Sequence, residues 1–146
     1  MSLLEKAMLL IKKHEGFRKY PYKDTRGYLT IGWGRCLSLK GITEEEATIM
    51  LLNDVNDAYE TAKRICFTRG VDFNQLPENA KIVLIDMAFN LGGRLGTFKK
   101  FFKELGLGNY KEAAKQMLDS KWAVQVGRRA IELAKMMEEC EQGSHS

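Results

Sequence analysis

Leu3, Leu4, Ala7, Met8 and Ile11 recur at spacings of three and four, the period of one helical face, until Gly16 interrupts the run. Ser2 with Glu5 three residues later forms the reciprocal capping signature of a helix start. A first helix is therefore predicted, burying this face and carrying Glu15 at its C-terminal end. From Phe17 to Leu39 the period changes, and aromatic and β-branched residues surround the turn formers Asp24-Thr25-Arg26-Gly27, which predicts a hairpin or small antiparallel sheet. Gly32 and Gly34 within it have no side chain to pack and suit a bulge, the plainer reason for either alone, or a close approach by a ligand. Thr43 with Glu46 opens a second capped helix, whose stripe runs through Ala47, Met50, Leu51, Val55, Ala58, Tyr59, Ala62 and Ile65. At ~1.5 Å per residue this helix spans roughly 30 Å, enough to link two lobes.

The period breaks between Thr68 and Pro77. Glu78 to Leu91 then reads as a helix apolar on most faces, ended by Gly92-Gly93, and such a helix belongs in the middle of a second lobe. Shorter helices are predicted at about Thr97 to Leu105, Asn109 to Leu118 and Arg128 to Cys140, with no repeat or low-complexity stretch. The pattern predicts a single two-lobed α+β domain over residues 1–142. It has a small β lobe at about 17–42, a linking helix at about 44–66 and a larger helical lobe at about 77–140. Residues 143–146 read as a tail outside the domain.

Composition narrows the class without choosing a function. A chain of 146 residues with 45% hydrophobic content can bury one sizeable core, and 29% charged residues with two prolines argue against disorder. The net charge of +4 favours anionic partners, of which bacterial cell wall is one and nucleic acid another. The basic residues are scattered, apart from pairs such as Lys12-Lys13, Lys99-Lys100 and Arg128-Arg129, and form no continuous stripe or nucleic-acid recognition motif. Cys36, Cys66 and Cys140 lack metal-ligand spacing, and His14 and His145 are the only imidazoles, so no metal site is expected. Three free thiols are the simpler expectation, with one disulfide plus a free thiol left open. The apolar stretch Met8 to Ile11 is flanked by Glu5 and Lys6 and by Lys12-Lys13, and reads as a helix face, not a signal peptide or a membrane anchor.

Glu15, Asp24 and Thr30 are the candidate chemistry. Glycoside hydrolysis commonly needs one carboxyl group to protonate the departing oxygen and another group to act on the far side of the sugar. A helix end, a turn and a strand could hold these three side chains around one cleft. Taken singly, each has a plainer reading: a solvated glutamate, a turn-forming aspartate and a β-branched strand residue.

The trio sits within Glu15-Gly16-Phe17-Arg18, Tyr20-Pro21-Tyr22-Lys23-Asp24 and Gly27-Tyr28-Leu29-Thr30-Ile31-Gly32-Trp33-Gly34. These segments, with gaps of nine from Glu15 to Asp24 and six from Asp24 to Thr30, resemble the front end of the phage-type lysozyme (endolysin) family of glycoside hydrolases. Leu84 to Gly92 and Ser120 to Ala130 resemble its helical half in the same order. The resemblance implies a lysozyme-like fold with Glu15 as general acid, and Asp24 and Thr30 as holders of an attacking water. The reaction implied is cleavage, with inversion, of the β-1,4 bond between N-acetylmuramic acid and N-acetylglucosamine in peptidoglycan, without a cofactor. It further implies substrate contacts at Asn90, Arg129, Cys36, Phe89 (through its backbone), Phe101 and Gln116, and a pairing of Arg129 with Glu15. Trp122 and Gln125 are expected to pack behind the site. Phe101 also lies in the stripe Phe98, Phe101, Phe102 and Leu105, where a core role is the plainer reading. Arg35, Cys36 and Asp86 depart from the family pattern, standing where His, an aliphatic residue and Asn are more usual.

The partner implied is the peptidoglycan glycan strand, engaged by a monomer with no nucleic acid and no stable membrane insertion. A phage or prophage endolysin is implied, made in the host cytoplasm without a signal peptide and reaching the wall through a membrane pore. The rival readings are a catalytically inactive glycan-binding relative, a chitinase or lytic transglycosylase on the same scaffold, and a basic helical module that binds nucleic acid.

Overall fold

A computed structural model describes residues 1–143 of the chain. Of the tail expected at 143–146, residues 144–146, with His145, lie outside the described residues, whereas Gly143 is the last residue of a helix and so not part of a tail. The chain divides into two compact units, Met1–Met50 and Leu51–Ser146. The architecture is α+β, as the pattern predicts: a small antiparallel sheet near the N-terminus and helices elsewhere.

In the first unit, α1 (Leu3–Glu15) starts at the predicted capping box, where the Ser2 hydroxyl accepts from the Glu5 amide at 3.1 Å. It ends as Gly16, at φ 70°, returns its N–H to the Lys12 carbonyl. Strands β1 (Arg18–Lys23), β2 (Leu29–Gly32) and β3 (Arg35–Cys36) form a sheet in the order β1-β2-β3. The short helix α2 (Leu37–Lys40) follows, and its Ser38 hydroxyl accepts from the Leu29 amide at 2.9 Å, tying it back to β2. The expected buried face of α1 is not formed. No residue of α1 is buried, and Leu3 and Leu4 are 82% and 78% exposed. Thr30 is the one buried residue of this unit, whose three short strands bury no apolar side chain. Periodicity gave the helix correctly but not what covers its face.

Helix α3 (Glu44–Thr68) begins in the first unit and continues into the second. Its predicted capping box is present, with the Thr43 amide donating to Glu46 Oε1 at 2.8 Å and the Glu46 amide donating to Thr43 Oγ1 at 3.1 Å. Only the C-terminal half of its apolar stripe is buried. Ala58, Ala62, Ile65 and Cys66 enter the core, whereas Met50, Leu51 and Val55 are exposed.

The second unit is built around α4 (Glu78–Leu91), which buries Ala80, Val83, Leu84, Met87, Ala88 and Leu91. A 3-10 turn over Phe73–Gln75 precedes it, and another over Gly92–Thr97 follows it. Helices α5 (Lys99–Gly106), α6 (Tyr110–Leu118), α7 (Lys121–Val126) and α8 (Arg128–Gly143) complete the unit, with α8 packed on α4, α6 and α7. Ala130, Leu133, Ala134, Met137 and Cys140 form the buried stripe of α8 at helical spacing. Helix α7 has only six residues, too few to show a period, and so lay beyond the pattern reading. Ser120 caps it, accepting from the Ala123 amide at 3.1 Å.

Candidate active site

Glu15 is the last residue of α1, and its carboxylate lies against the backbone at Gly34. A β-carbon added at Gly34, where φ is +81°, would stand 2.8 Å from Glu15 Oε2 and 2.9 Å from its carboxyl carbon. The glycine is therefore required twice, by its left-handed backbone and by the carboxylate beside it. Gly34 lies in the turn Gly32-Trp33-Gly34 that joins β2 to β3, where Ile31 pairs with Arg35 and Thr30 with Cys36. The neighbour that Gly34 admits is thus the Glu15 side chain, not the ligand or bulge its sequence position suggested. The side chain of Glu15 is exposed and makes no hydrogen bond or ion pair among the described residues.

Asp24 and Thr30 are joined through Tyr28. The Tyr28 amide donates to Asp24 Oδ1 at 2.9 Å, while the Thr30 hydroxyl donates to the Tyr28 carbonyl at 3.0 Å. Asp24 Oδ1 also accepts from the Arg26 amide at 2.8 Å, closing the turn that the sequence announced. Among the described residues, its second oxygen, Oδ2, has the Arg26 guanidinium as its partner, at 3.9 Å. The Thr30 hydroxyl, in a residue only 4% exposed, has its hydrogen committed and presents lone pairs. The segment thus offers two acceptors, Asp24 Oδ2 and Thr30 Oγ1, whose other bonds are already made.

Cys36 is half-buried in β3 and lines a cavity of about 640 Å³ with Trp33, Gly34, Arg35, Glu46 and Met50. Arg35 makes a forked contact with Glu46: Nη1 donates to Oε1 at 2.8 Å and Nη2 donates to Oε2. Nη1 also donates to the Gly41 carbonyl at 2.9 Å. The guanidinium and the Thr43 amide together hold the Glu46 carboxyl down at about 2, far below the usual carboxylate range, and Arg35 is raised in turn. The sequence showed Glu46 only as a cap partner and Arg35 only as a departure from a more usual His. Nothing local signals a pair eleven residues apart.

The second unit places the remaining candidates in two clusters. Phe89 and Arg129 border an apolar pocket of about 440 Å³ lined by Leu51, Val55, Ile82 and Ile85. There the Arg129 guanidinium is held by Asp86, with Nε and Nη2 each 2.7 Å from Oδ1 and Nη2 donating to the Asp86 carbonyl at 3.3 Å. The resemblance implied Glu15 as the partner of Arg129. Within its own unit that partner is Asp86, a residue noted in the sequence only for standing where Asn is usual. Phe101 and Gln116 line a cavity of about 570 Å³, together with Arg94, Lys99, Lys100, Lys121 and Trp122. Phe101 is 1% exposed, and its ring packs against Phe98 and Phe102, so a core role is its main one. Asn90 is exposed and its Oδ1 accepts from the buried Trp122 indole at 2.6 Å, which leaves the amide N–H groups of Asn90 free to donate outward.

The first unit thus carries Glu15 beside Gly34, and Asp24 joined to Thr30 through Tyr28. The sequence profile of the phage lysozyme family matches residues 12–138, and the chain belongs to that family. An endolysin of Acyrthosiphon pisum secondary endosymbiont phage 1 is 28% identical over 126 residues, covering 84% of this chain and 81% of its own length. The endolysin of Salmonella phage P22 is 28% identical over 129 residues, covering 81% of this chain and 82% of its own. A probable T4-type lysozyme of Dictyostelium discoideum is 25% identical over 156 residues, covering 88% and 91%.

Proposed function

We propose that the protein is an inverting endo-N-acetylmuramidase that hydrolyses the β-1,4 bond between N-acetylmuramic acid and N-acetylglucosamine in bacterial peptidoglycan. Glu15, unbonded among the described residues, donates its proton to the glycosidic oxygen as the bond to the anomeric carbon breaks. A water held by Asp24 Oδ2 and Thr30 Oγ1 attacks that carbon from the opposite face and gives up its proton to Asp24. Both holders are acceptors, so they take the water's hydrogens and aim its lone pair at the sugar. That polarity carries the reading: the hydrogen of Thr30 is committed to Tyr28, and Oδ1 of Asp24 to two amides. The cationic lining around Gln116, with Arg94, Lys99, Lys100 and Lys121 against the single acid Asp119, suits an anionic wall polymer. The endolysins among the relatives support an endolysin role; access to the wall through a membrane pore is part of the proposal.

The test is digestion of purified sacculi followed by analysis of the new ends. Reducing N-acetylmuramic acid ends, released as the α-anomer, are expected. Anhydro-muramyl ends would assign a lytic transglycosylase, and cleavage of chitin alone a chitinase. Binding to sacculi without new ends would assign an inactive relative, and a DNA mobility shift without wall cleavage a nucleic-acid module.

A further inference from the structure

We infer that Arg35 and Glu46 are positioning residues for Glu15, acting through the Gly32-Trp33-Gly34 turn. The inference rests on the reading of Glu15 as the general acid. The turn presses its Gly34 backbone against the Glu15 carboxylate, at a separation that leaves no room for one more carbon. Within the first unit no described residue hydrogen-bonds Glu15, so its position there depends on the surfaces that confine it. Gly34 is such a surface, and the next residue is Arg35. Its guanidinium is forked onto Glu46 and bonded to the Gly41 carbonyl, which anchors the C-terminal side of the turn to the start of α3.

Glu46 is itself fixed, because the same Oε1 accepts from the Thr43 amide in the capping box. The other side of the turn is held by Trp33, whose ring lies 5.4 Å from that of Phe17 and under the Lys12 ammonium at 5.0 Å. Phe17 and Lys12 flank Glu15 in sequence, so the turn is tied both to α3 and to the segment that carries the acid. A forked guanidinium–carboxylate contact suits this task, since its two parallel bonds fix orientation as well as distance. Arg35→Lys would keep the charge but lose the fork.

The test measures kcat and KM on soluble uncross-linked glycan strands, well below the melting temperature of each variant, for wild type, Glu15→Gln, Arg35→Ala, Arg35→Lys and Glu46→Gln. Arg35→Ala leaves the capping box intact and should lower kcat by about 10-fold to 100-fold, the scale of a small misplacement of a reacting group. KM should stay within about twofold, because the polar atoms of the pair are engaged with each other, the Gly41 carbonyl and the Thr43 amide. Arg35→Lys should recover part of the loss, and the Gly34 amide should exchange faster in Arg35→Ala than in wild type. Glu46→Gln, which keeps shape and cap, repeats the test if Arg35→Ala fails to fold. Wild-type kcat in a folded Arg35→Ala or Glu46→Gln, or a loss that falls on KM, would overturn the proposal. An inactive Glu15→Gln beside an unimpaired Arg35→Ala would remove the positioning role alone, whereas an active Glu15→Gln would remove the acid assignment beneath it.

Discussion

The two units hold their residues in place by different means. Every buried apolar residue among the described residues lies in the second unit, where α4 and α8 are faced on their inner sides by Leu, Val, Met and Ala. The first unit buries only Thr30, yet it carries all three candidate catalytic side chains. Its order comes from directional bonds: two capping boxes, the Asp24 turn, the Tyr28 bridge to Thr30 and the Arg35–Glu46 fork. Hydrophobic burial is strong but non-directional, whereas these bonds set angles at little net stabilisation. Substitutions in the first unit should therefore alter chemistry more than stability, and those in the second the reverse.

The largest effect expected is at Glu15. Glu15→Gln keeps the shape and removes the transferable proton, so wall clearing should fall by about 10² to 10⁴. Because the side chain is exposed and unbonded among the described residues, the melting temperature should not move. A turbidity assay beside a thermal melt checks both, and near-normal clearing would break the comparison at its first point.

Leu84→Ala inverts the pattern. Leu84 is 0% exposed at the centre of α4, and its truncation should cost roughly 2–5 kcal/mol, read from denaturant unfolding. Activity per folded molecule should survive. Loss of specific activity in molecules shown to be folded would mean that the core also sets the geometry of the catalytic side chains.

A smaller effect belongs to acid. The depressed Glu46 carboxyl contributes stability that is fully present above its unfolded value of about 4.5 and is lost as pH falls through its folded value of about 2. Wild type should therefore lose stability relative to Glu46→Gln on acidification through that window. Parallel stability–pH curves for the two proteins would mean that the fork does not form in solution.

The smallest effect is expected from reductant. Cys66 and Cys140 are buried, with burial pushing the Cys66 thiol up to about 12 and raising Cys140, and all three cysteines are free thiols. Activity and melting temperature should be unchanged, and alkylation of denatured, unreduced protein should modify all three.

Much of the fold was legible because helical period and caps are local signals. The starts of α1 and α3, the turn at Asp24 and the apolar character of α4 each follow from residues within a few positions of one another. What the sequence hid is long-range or depends on what covers a surface. The stripe of α1 announced a helix but not its exposure, and α7 was too short to show a period. At the site, residue types and spacing singled out Glu15, Asp24 and Thr30. Their bonding, however, runs through the backbone of Tyr28, which no side-chain pattern reports. Asp86 as the partner of Arg129, 43 residues away, and Glu46 as the partner of Arg35 emerge only when the chain is folded.

Asp24→Asn tests the central claim most directly, because it separates the two jobs of one side chain. Asparagine retains an Oδ1 that can accept from the Arg26 and Tyr28 amides, so the turn should stand, while the charge on Oδ2 that receives the water's proton is gone. Sacculus clearing and the thermal melt should be measured on the same preparation. The account predicts an unchanged melt with clearing lowered by about 10²-fold or more. Full clearing, or a loss of clearing that merely tracks unfolding, would contradict it and leave Asp24 a turn residue alone.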